Sequence, residues 1–230
     1  MKYTYDNFIF DLYGTLIDVN TDEHAAQTWK KWCRYLDRKG IKHPHYIPFR
    51  RRFFEMDRAY RERAKLEGPY EVPEIDIIEV YRELFEAYGN GILSDELLLD
   101  ISYQFRVCSR AHIRLYPGVI EFLDQLKAEG KHAYLLSNAQ ASYTMPEIQM
   151  LSLDEKLEDI FISSDEKCMK PDVAFFDKLI CKHGLNKTKT VMVGDTLSSD
   201  VAGAKKAGID AIHLVGENAA SCFYINAVQA

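Results

Sequence analysis

Three aspartates, a lysine and a serine stand in this chain where carboxylate and phosphoryl chemistry is feasible. Asp11 closes an apolar run, Phe8–Leu12, and opens the stretch Asp11-Leu12-Tyr13-Gly14-Thr15-Leu16. Asp195 and Asp200 bracket the short polar loop that follows a second run, Thr190–Gly194. A carboxylate at the carboxyl end of a strand sits where open α/β sheets bind their ligands. Asp11 and Asp195, on two such strands, can share a hard cation. Magnesium fits, because it prefers oxygen ligands, keeps several waters and is held by one or two carboxylates together with substrate phosphate. Asp200 is expected just behind that cation, orienting a water or a lysine. Ser137 and Asn138 offer a hydroxyl and a backbone N–H to a phosphate oxygen, and Lys170 can neutralise the charge shared by a carboxylate nucleophile and an anionic substrate. Singly, each has an ordinary structural explanation as a cap, a turn or a surface loop. Their order along the chain gives them weight together.

Five short runs rich in β-branched and aromatic residues have to position these groups: Phe8–Leu12, His132–Ser137, Asp159–Ser163, Thr190–Gly194 and Asp210–Val215. Each reads as a buried parallel strand. Helical patterns at Val119–Glu129, Val173–His183 and Asp200–Ala207 separate the later ones. Strand alternating with helix predicts an α/β fold, a doubly wound parallel Rossmann-like sheet. The interval from about Val19 to about Arg114 breaks that alternation. It is charged, rich in Tyr, Phe and Arg, and carries helix-forming stretches such as Ala25–Lys39 and Ile77–Tyr88. Glu67-Gly68-Pro69 and Tyr88-Gly89-Asn90-Gly91 supply its breaks, and Tyr116-Pro117-Gly118 marks the return to the sheet. The expected division is therefore an α/β core of residues 1–18 and 115–230, with 19–114 inserted as an all-helical module.

At 230 residues, 47% hydrophobic and 28% charged, the chain has the profile of a well-packed globular protein rather than a disordered or fibrous one. A formal charge of -6 works against nonspecific attraction to a nucleic-acid backbone. Cys33, Cys108, Cys168, Cys181 and Cys222 are scattered, with no paired spacing for zinc, and read as reduced thiols. The opening residues lack the apolar stretch of a signal peptide, and no segment is apolar for the length a bilayer requires. A cytoplasmic protein with a small-molecule anionic substrate, no nucleic-acid or membrane partner, and a monomeric or homodimeric state is expected.

Asp11 to Leu16, Ser137, Lys170, and Asp195 with Asp200 resemble the four ordered motifs of the haloacid dehalogenase superfamily, over the whole core. The resemblance implies a hydrolase in which Asp11 attacks the substrate and forms a covalent intermediate that water later cleaves. It also implies Mg2+ held by Asp11, Asp195 and the backbone carbonyl of Tyr13, with Thr15 and Asn138 touching substrate and residues 19–114 as a helical cap that closes over the site.

One residue departs from the phosphatase pattern. Phosphatases of that family carry an Asp two positions after the nucleophile, as general acid and base, and this chain has Tyr13. Tyr there resembles the 2-haloacid dehalogenases, whose halide leaves without a proton. Those enzymes work without metal, however, and have Asn where this chain has Asp195 and Tyr where it has Phe176. Their cap arginine has no clear counterpart among Lys30, Lys31, Arg34 and Arg38. A second basic, aromatic cluster, Arg50 to Arg63, either clamps an anion from above or is a solvated helix face. Three functions stay open: a magnesium-dependent phosphatase for small phosphorylated metabolites, a dehalogenase acting at carbon, and a weakly active metabolite-binding protein. Tyr116, His132 and His213 are read as packing residues.

Overall fold

The computed structural model describes residues 4–215, so Cys222 lies outside the described residues. In chain order the elements are β1 (Asn7–Phe10), β2 (Ile17–Thr21), α1 (Ala26–Arg38), α2 (Tyr46–Glu67), α3 (Ile77–Ala87), α4 (Asp95–Ser109), β3 (Arg110–Leu115) and α5 (Val119–Ala128). There follow β4 (His132–Ser137), α6 (Ala141–Met150), β5 (Asp159–Ile162), α7 (Ser163–Glu166), α8 (Val173–His183), β6 (Thr190–Gly194), α9 (Ala202–Ala207) and β7 (Asp210–His213).

Five strands form one parallel sheet in the order β5-β4-β1-β6-β7. The chain leaves β1 for β4 and β5 on one side and returns for β6 and β7 on the other, so the order reverses between β1 and β6. A crevice opens at such a reversal, outside the carboxyl ends of the strands. Phe8, Phe10, Leu135, Val191 and Val193 bury one face of the sheet, and Ile9, Tyr134, Leu136 and Met192 the other. Burial on both faces is why these strands read as continuous apolar runs rather than alternating ones.

The interval between β1 and α5 is not helical throughout. Its ends pair as an antiparallel ribbon, Ile17 opposite Leu115 through Thr21 opposite Arg110. The ribbon is short and mixed: Val19 and Ile113 pack on the core, whereas Asp18, His112 and Arg114 form an exposed ion-pair cluster. That polarity hides it from a search for buried runs. Four helices, α1 to α4, lie between the two strands and bury an apolar cluster of their own. It is built on aromatic rings: Trp32 stacks on Phe49 at 5.3 Å and meets Trp29 and Phe105 edge to face. Offset stacked and edge-to-face pairs contribute beyond the area they bury.

The basic run of α2 divides by face. Phe53 and Met56 enter this cluster, Arg51, Arg52, Arg58 and Arg63 are exposed, and Arg61 turns inward to Glu74 at 2.7 Å. Lys30, Lys31, Arg34 and Arg38 of α1 are exposed as well. Cys33, Cys108, Cys168 and Cys181 are free thiols. No helix among the described residues is long and apolar enough to cross a membrane.

Trp32 is fully buried at the centre of the helical cluster. Trp32→Ala should therefore lower unfolding stability by about 3–5 kcal/mol, read as a fall in the urea midpoint.

Candidate active site

Asp11 emerges one residue beyond β1, and its N–H donates to the Val193 carbonyl of β6 at 2.9 Å, which holds it at the sheet edge. Asp195 follows β6 directly, so the two carboxylates flank the point where strand order reverses. One carboxylate oxygen from each of Asp11, Asp195 and Asp200 lies within 4.8 Å of the others. Two glycines permit this crowding. A Cβ on Gly14 would lie 2.4 Å from Asp195 Oδ2, and one on Gly194 would lie 2.3 Å from Asp200 Oδ2. Gly14 also has φ +85°, a conformation that side chains disfavour.

Lys170 Nζ donates to Asp11 Oδ1 at 2.6 Å and contacts Asp200 Oδ1 at 2.7 Å, with the lysine and Asp200 almost wholly buried. Burial opposes the lysine's charge, but the two carboxylates outweigh it and hold the ammonium above its ordinary value. Burial also pushes the Asp11 carboxyl upward, against the pull of Lys170 and with the repulsion of Asp200. Asp200 spends its other oxygen on the Thr196 N–H at 3.0 Å, inside a widened π-type turn, Leu197–Val201. Such turns recur at functional sites because they re-aim a side chain without ending the helix. The Lys170 backbone is gripped at both ends by Asn138, whose Oδ1 accepts from its N–H at 2.8 Å and whose Nδ2 donates to its carbonyl at 2.9 Å. Ser137, at the end of β4, is buried beside this junction in sequence. Thr15 Oγ1 is buried without a hydrogen-bond partner.

The structure thus brings Asp11, Lys170, Asp195 and Asp200 together, and Asn138 reaches them through the Lys170 backbone. The donor set suits a hard divalent cation. Asp200 is committed to Lys170 and Thr196, so Asp11 and Asp195 are the pair with anionic oxygen to offer.

Tyr13 behaves differently from a site-facing acid. Its hydroxyl donates to Glu147 Oε2 at 2.6 Å and lies 3.1 Å from Thr144 Oγ1, both on α6. Burial, then the Glu147 charge, pushes the phenol far above its ordinary value. Glu147 is fully buried and also accepts from Arg106 at 3.0 Å and Arg110 at 2.9 Å, while Arg106 lies over the Tyr13 and Tyr143 rings. These arginines come from the end of α4 and the start of β3, whereas the α1 cations considered from the sequence face solvent. Sequence reasoning missed Glu147, Arg106 and Arg110 because their pairing joins residues about 40 apart. The spacing of the two arginines is the one signal they leave. His213, read as packing, contacts the Asp195 carbonyl at 2.9 Å. Phe176 is buried, and its ring lies where a Cβ on Gly203 would be 2.4 Å away, so it packs inside the fold.

A family model described as haloacid dehalogenase-like hydrolase matches residues 5–208. Among curated relatives, a glyceraldehyde 3-phosphate phosphatase of Pyrococcus furiosus is 31% identical over 213 residues, covering 88% of this chain and 78% of its own length. The pyrimidine 5'-nucleotidase PynA of Streptococcus pneumoniae is 26% identical over 215 residues, covering 90% and 83%. A 2-haloacid dehalogenase of Pseudomonas syringae pv. Tomato DC3000 superposes with TM-score 0.60 at 23% identity, covering 91% and 86%, which is a likeness of fold.

Removing Lys170 should expose how much the cluster depends on it. Lys170→Met leaves Asp11 and Asp200 buried without the cation that touches both, so stability at neutral pH should fall by about 3–5 kcal/mol. The loss should shrink as pH is lowered, because protonating Asp11, whose carboxyl burial already pushes upward, removes the repulsion. Urea unfolding at pH 8 and pH 5 checks it; an equal loss at both would mean the carboxylates do not repel.

Proposed function

The chain belongs to the haloacid dehalogenase-like hydrolase family, and from that premise we propose that it is a magnesium-dependent phosphatase of small phosphorylated metabolites, with Asp11 as nucleophile. The observation that carries this reading is the carboxylate cluster: Asp195 faces Asp11 across the β1–β6 crevice, as a shared oxygen site for a hard cation requires. The relative named a glyceraldehyde 3-phosphate phosphatase and the one named a pyrimidine 5'-nucleotidase, each matched over most of its length, support it.

In this reading Asp11 presents one carboxylate oxygen to phosphorus while Lys170 holds the other. The bond to the leaving oxygen breaks as the phosphoryl group passes to Asp11, and the alcohol departs with a proton taken from solvent, since the Tyr13 hydroxyl is committed to Glu147; water then attacks phosphorus, breaks the bond to Asp11 and releases phosphate and the free carboxylate. Lys170 offsets charge on the transferred group, Ser137 and Asn138 supply donors at its edge, and Thr15 lies against it. Magnesium, held by Asp11, Asp195 and the Tyr13 carbonyl, would draw electron density from the phosphoryl oxygens. Asp200 keeps Lys170 pointed at Asp11. The helices α1 to α4, residues 19–114 with their flanking ribbon, act as the cap that limits what enters.

A second reading rests on Tyr13. Its hydroxyl is turned to Glu147 rather than toward the nucleophile, which suits a leaving group that departs without a proton, such as halide from a 2-haloacid.

A panel of phosphorylated metabolites and 2-haloacids, assayed with magnesium and with chelator, separates the two. Asp11→Asn should abolish turnover of whichever substrate is found while preserving the fold, and Asp195→Asn should weaken magnesium binding in a calorimetric titration. Turnover of a 2-haloacid in chelator, with no magnesium bound at millimolar levels, would overturn the phosphatase reading. Tyr13→Asp is the companion test. It frees Glu147 to its two arginines and sets a short carboxyl near the leaving oxygen, so cleavage of an alkyl phosphate should rise, by up to ~10²–10⁴-fold, and that of p-nitrophenyl phosphate should rise less. Equal or falling rates for both, in a folded magnesium-binding variant, would show that Tyr13 serves the reaction as it stands.

A further inference from the structure

Outward from Asp11, a stack of side chains leads to the helical module. Tyr13 lies two residues beyond the nucleophile, and the Arg106 guanidinium of α4 covers its ring at 5.0 Å. The Tyr143 ring of α6 lies against the same guanidinium at 4.8 Å. Arg106 turns Nε and Nη2 to Glu147, at 3.0 and 3.4 Å. Its Nη1 makes no hydrogen bond and stands 3.8 Å from Oε1 of Glu23, at the corner between β2 and α1.

The Glu23 carboxylate is enclosed without being sealed. Its side chain keeps 39% of its surface, yet protein surrounds it closely enough that burial, against the pull of Arg106, pushes the carboxyl upward. A group that is both wet and surrounded lines a recess. Asp57 and Arg61 of α2 also act on it, but they are paired with each other at 3.1 Å. Tyr143 opens on the same recess: burial, then the charge of Glu23, pushes its phenol upward, and its hydroxyl has no hydrogen-bond partner among the described residues. Neither that hydroxyl nor Arg106 Nη1 is closed to water, since Thr15 Oγ1 is the one unpartnered side-chain atom so closed among the described residues. Three polar groups therefore converge beyond Tyr13 with hydrogen-bonding capacity left over: an acceptor, Glu23, and two donors, Arg106 Nη1 and the Tyr143 hydroxyl. An anion entering there meets Glu23, and a cation meets Arg106. A hydroxyl suits both, because it donates to the carboxylate and accepts from either donor.

We infer that this recess receives the part of the substrate beyond the phosphoryl group and selects neutral, hydroxyl-bearing phosphomonoesters, with Glu23 as the specificity-determining residue. The inference rests on the phosphatase reading: an ester whose phosphorus lies at Asp11 carries its leaving group away from the sheet edge, past Tyr13 and toward the helical module.

Initial rates with magnesium on matched esters provide the test. Glycerol 3-phosphate and ribose 5-phosphate carry hydroxyls, propyl phosphate carries none, and 3-phosphoglycerate has a carboxylate in place of one hydroxymethyl group. The better hydroxylated ester should exceed propyl phosphate in kcat/KM by about 10–100-fold, the strength of a hydrogen bond to a charged group, and should exceed 3-phosphoglycerate as well. Glu23→Gln should narrow the first ratio by about tenfold, chiefly through KM. It should also raise the cleavage of 3-phosphoglycerate, because the repelling charge is gone. Tyr143→Phe should narrow the first ratio without admitting the carboxylate. Wild-type rates that do not favour the hydroxylated ester, or variants that lower all four esters in one proportion, overturn the subsite and leave the phosphatase reading standing. Turnover of 2-chloropropionate but of no ester overturns both. Calorimetric titration of the Asp11→Asn protein with the four esters gives the ranking without turnover, and equal affinities overturn the subsite whether or not catalysis is seen.

Discussion

A single buried ammonium holds the crevice together. Lys170 sits between Asp11 and Asp200, at hydrogen-bond distance from both. Burying one carboxylate is expensive and burying two beside each other more so; a cation that bonds both turns mutual repulsion into a line of alternating charge. Once that line is required, much else follows. The Lys170 backbone must be fixed, which Asn138 does from the end of β4 and segment 72–75 from the helical module. Asp200 must be aimed inward, which the widened turn after β6 does. Asp195 must come close without a side chain in its way, and that is the demand met by Gly14.

The second charged network does for Tyr13 what the first does for Asp11. Glu147 lies in the interior with two arginines and a phenol, so its charge is spent on neighbours from the loop after β1, from α4 and from β3. Low local dielectric makes such a set strong when complete and costly when any member is missing. It also decides the chemistry open to Tyr13. A hydroxyl committed to a buried carboxylate is a structural donor, and the ring beneath Arg106 is a packing surface. The departure from the phosphatase pattern is therefore compensated in the fold by residues that fit a tyrosine and would not fit an aspartate in the same way.

The two apolar clusters explain why the site lies where it does. The sheet packs its faces against α5 and α6 on one side and α8 and α9 on the other, whereas α1 to α4 close around their own tryptophans and phenylalanines. Each cluster is satisfied internally, so the surface between them is free to carry polar groups. Those groups are Gln140, Glu74, Ser102, Arg106 and Glu147, and they make the junction specific in a way that apolar contact alone would not.

The sequence by itself determined the sheet and the residues at its carboxyl edge. His132–Ser137, Thr190–Gly194 and Val173–His183 occupy the ranges their patterns indicate, because strands buried on both faces and a helix capped by Asp172 and Gly184 leave a local signature. Asp11, Lys170, Asp195 and Asp200 were legible as types at strand ends, since short-range chemistry writes them next to glycine and turn residues. Only the tertiary structure decided what each of them faces. The ribbon of β2 and β3 joins segments almost a hundred residues apart and is too polar to show a period. Glu147 is an unremarkable helix residue until Arg106 and Arg110 arrive from another element. Pro73 forms a β-bridge only because the Lys170 loop offers its neighbours Val72 and Glu74 N–H and carbonyl partners. Pairing of this kind is a property of distance in space, and a linear pattern holds the residues without holding the distance.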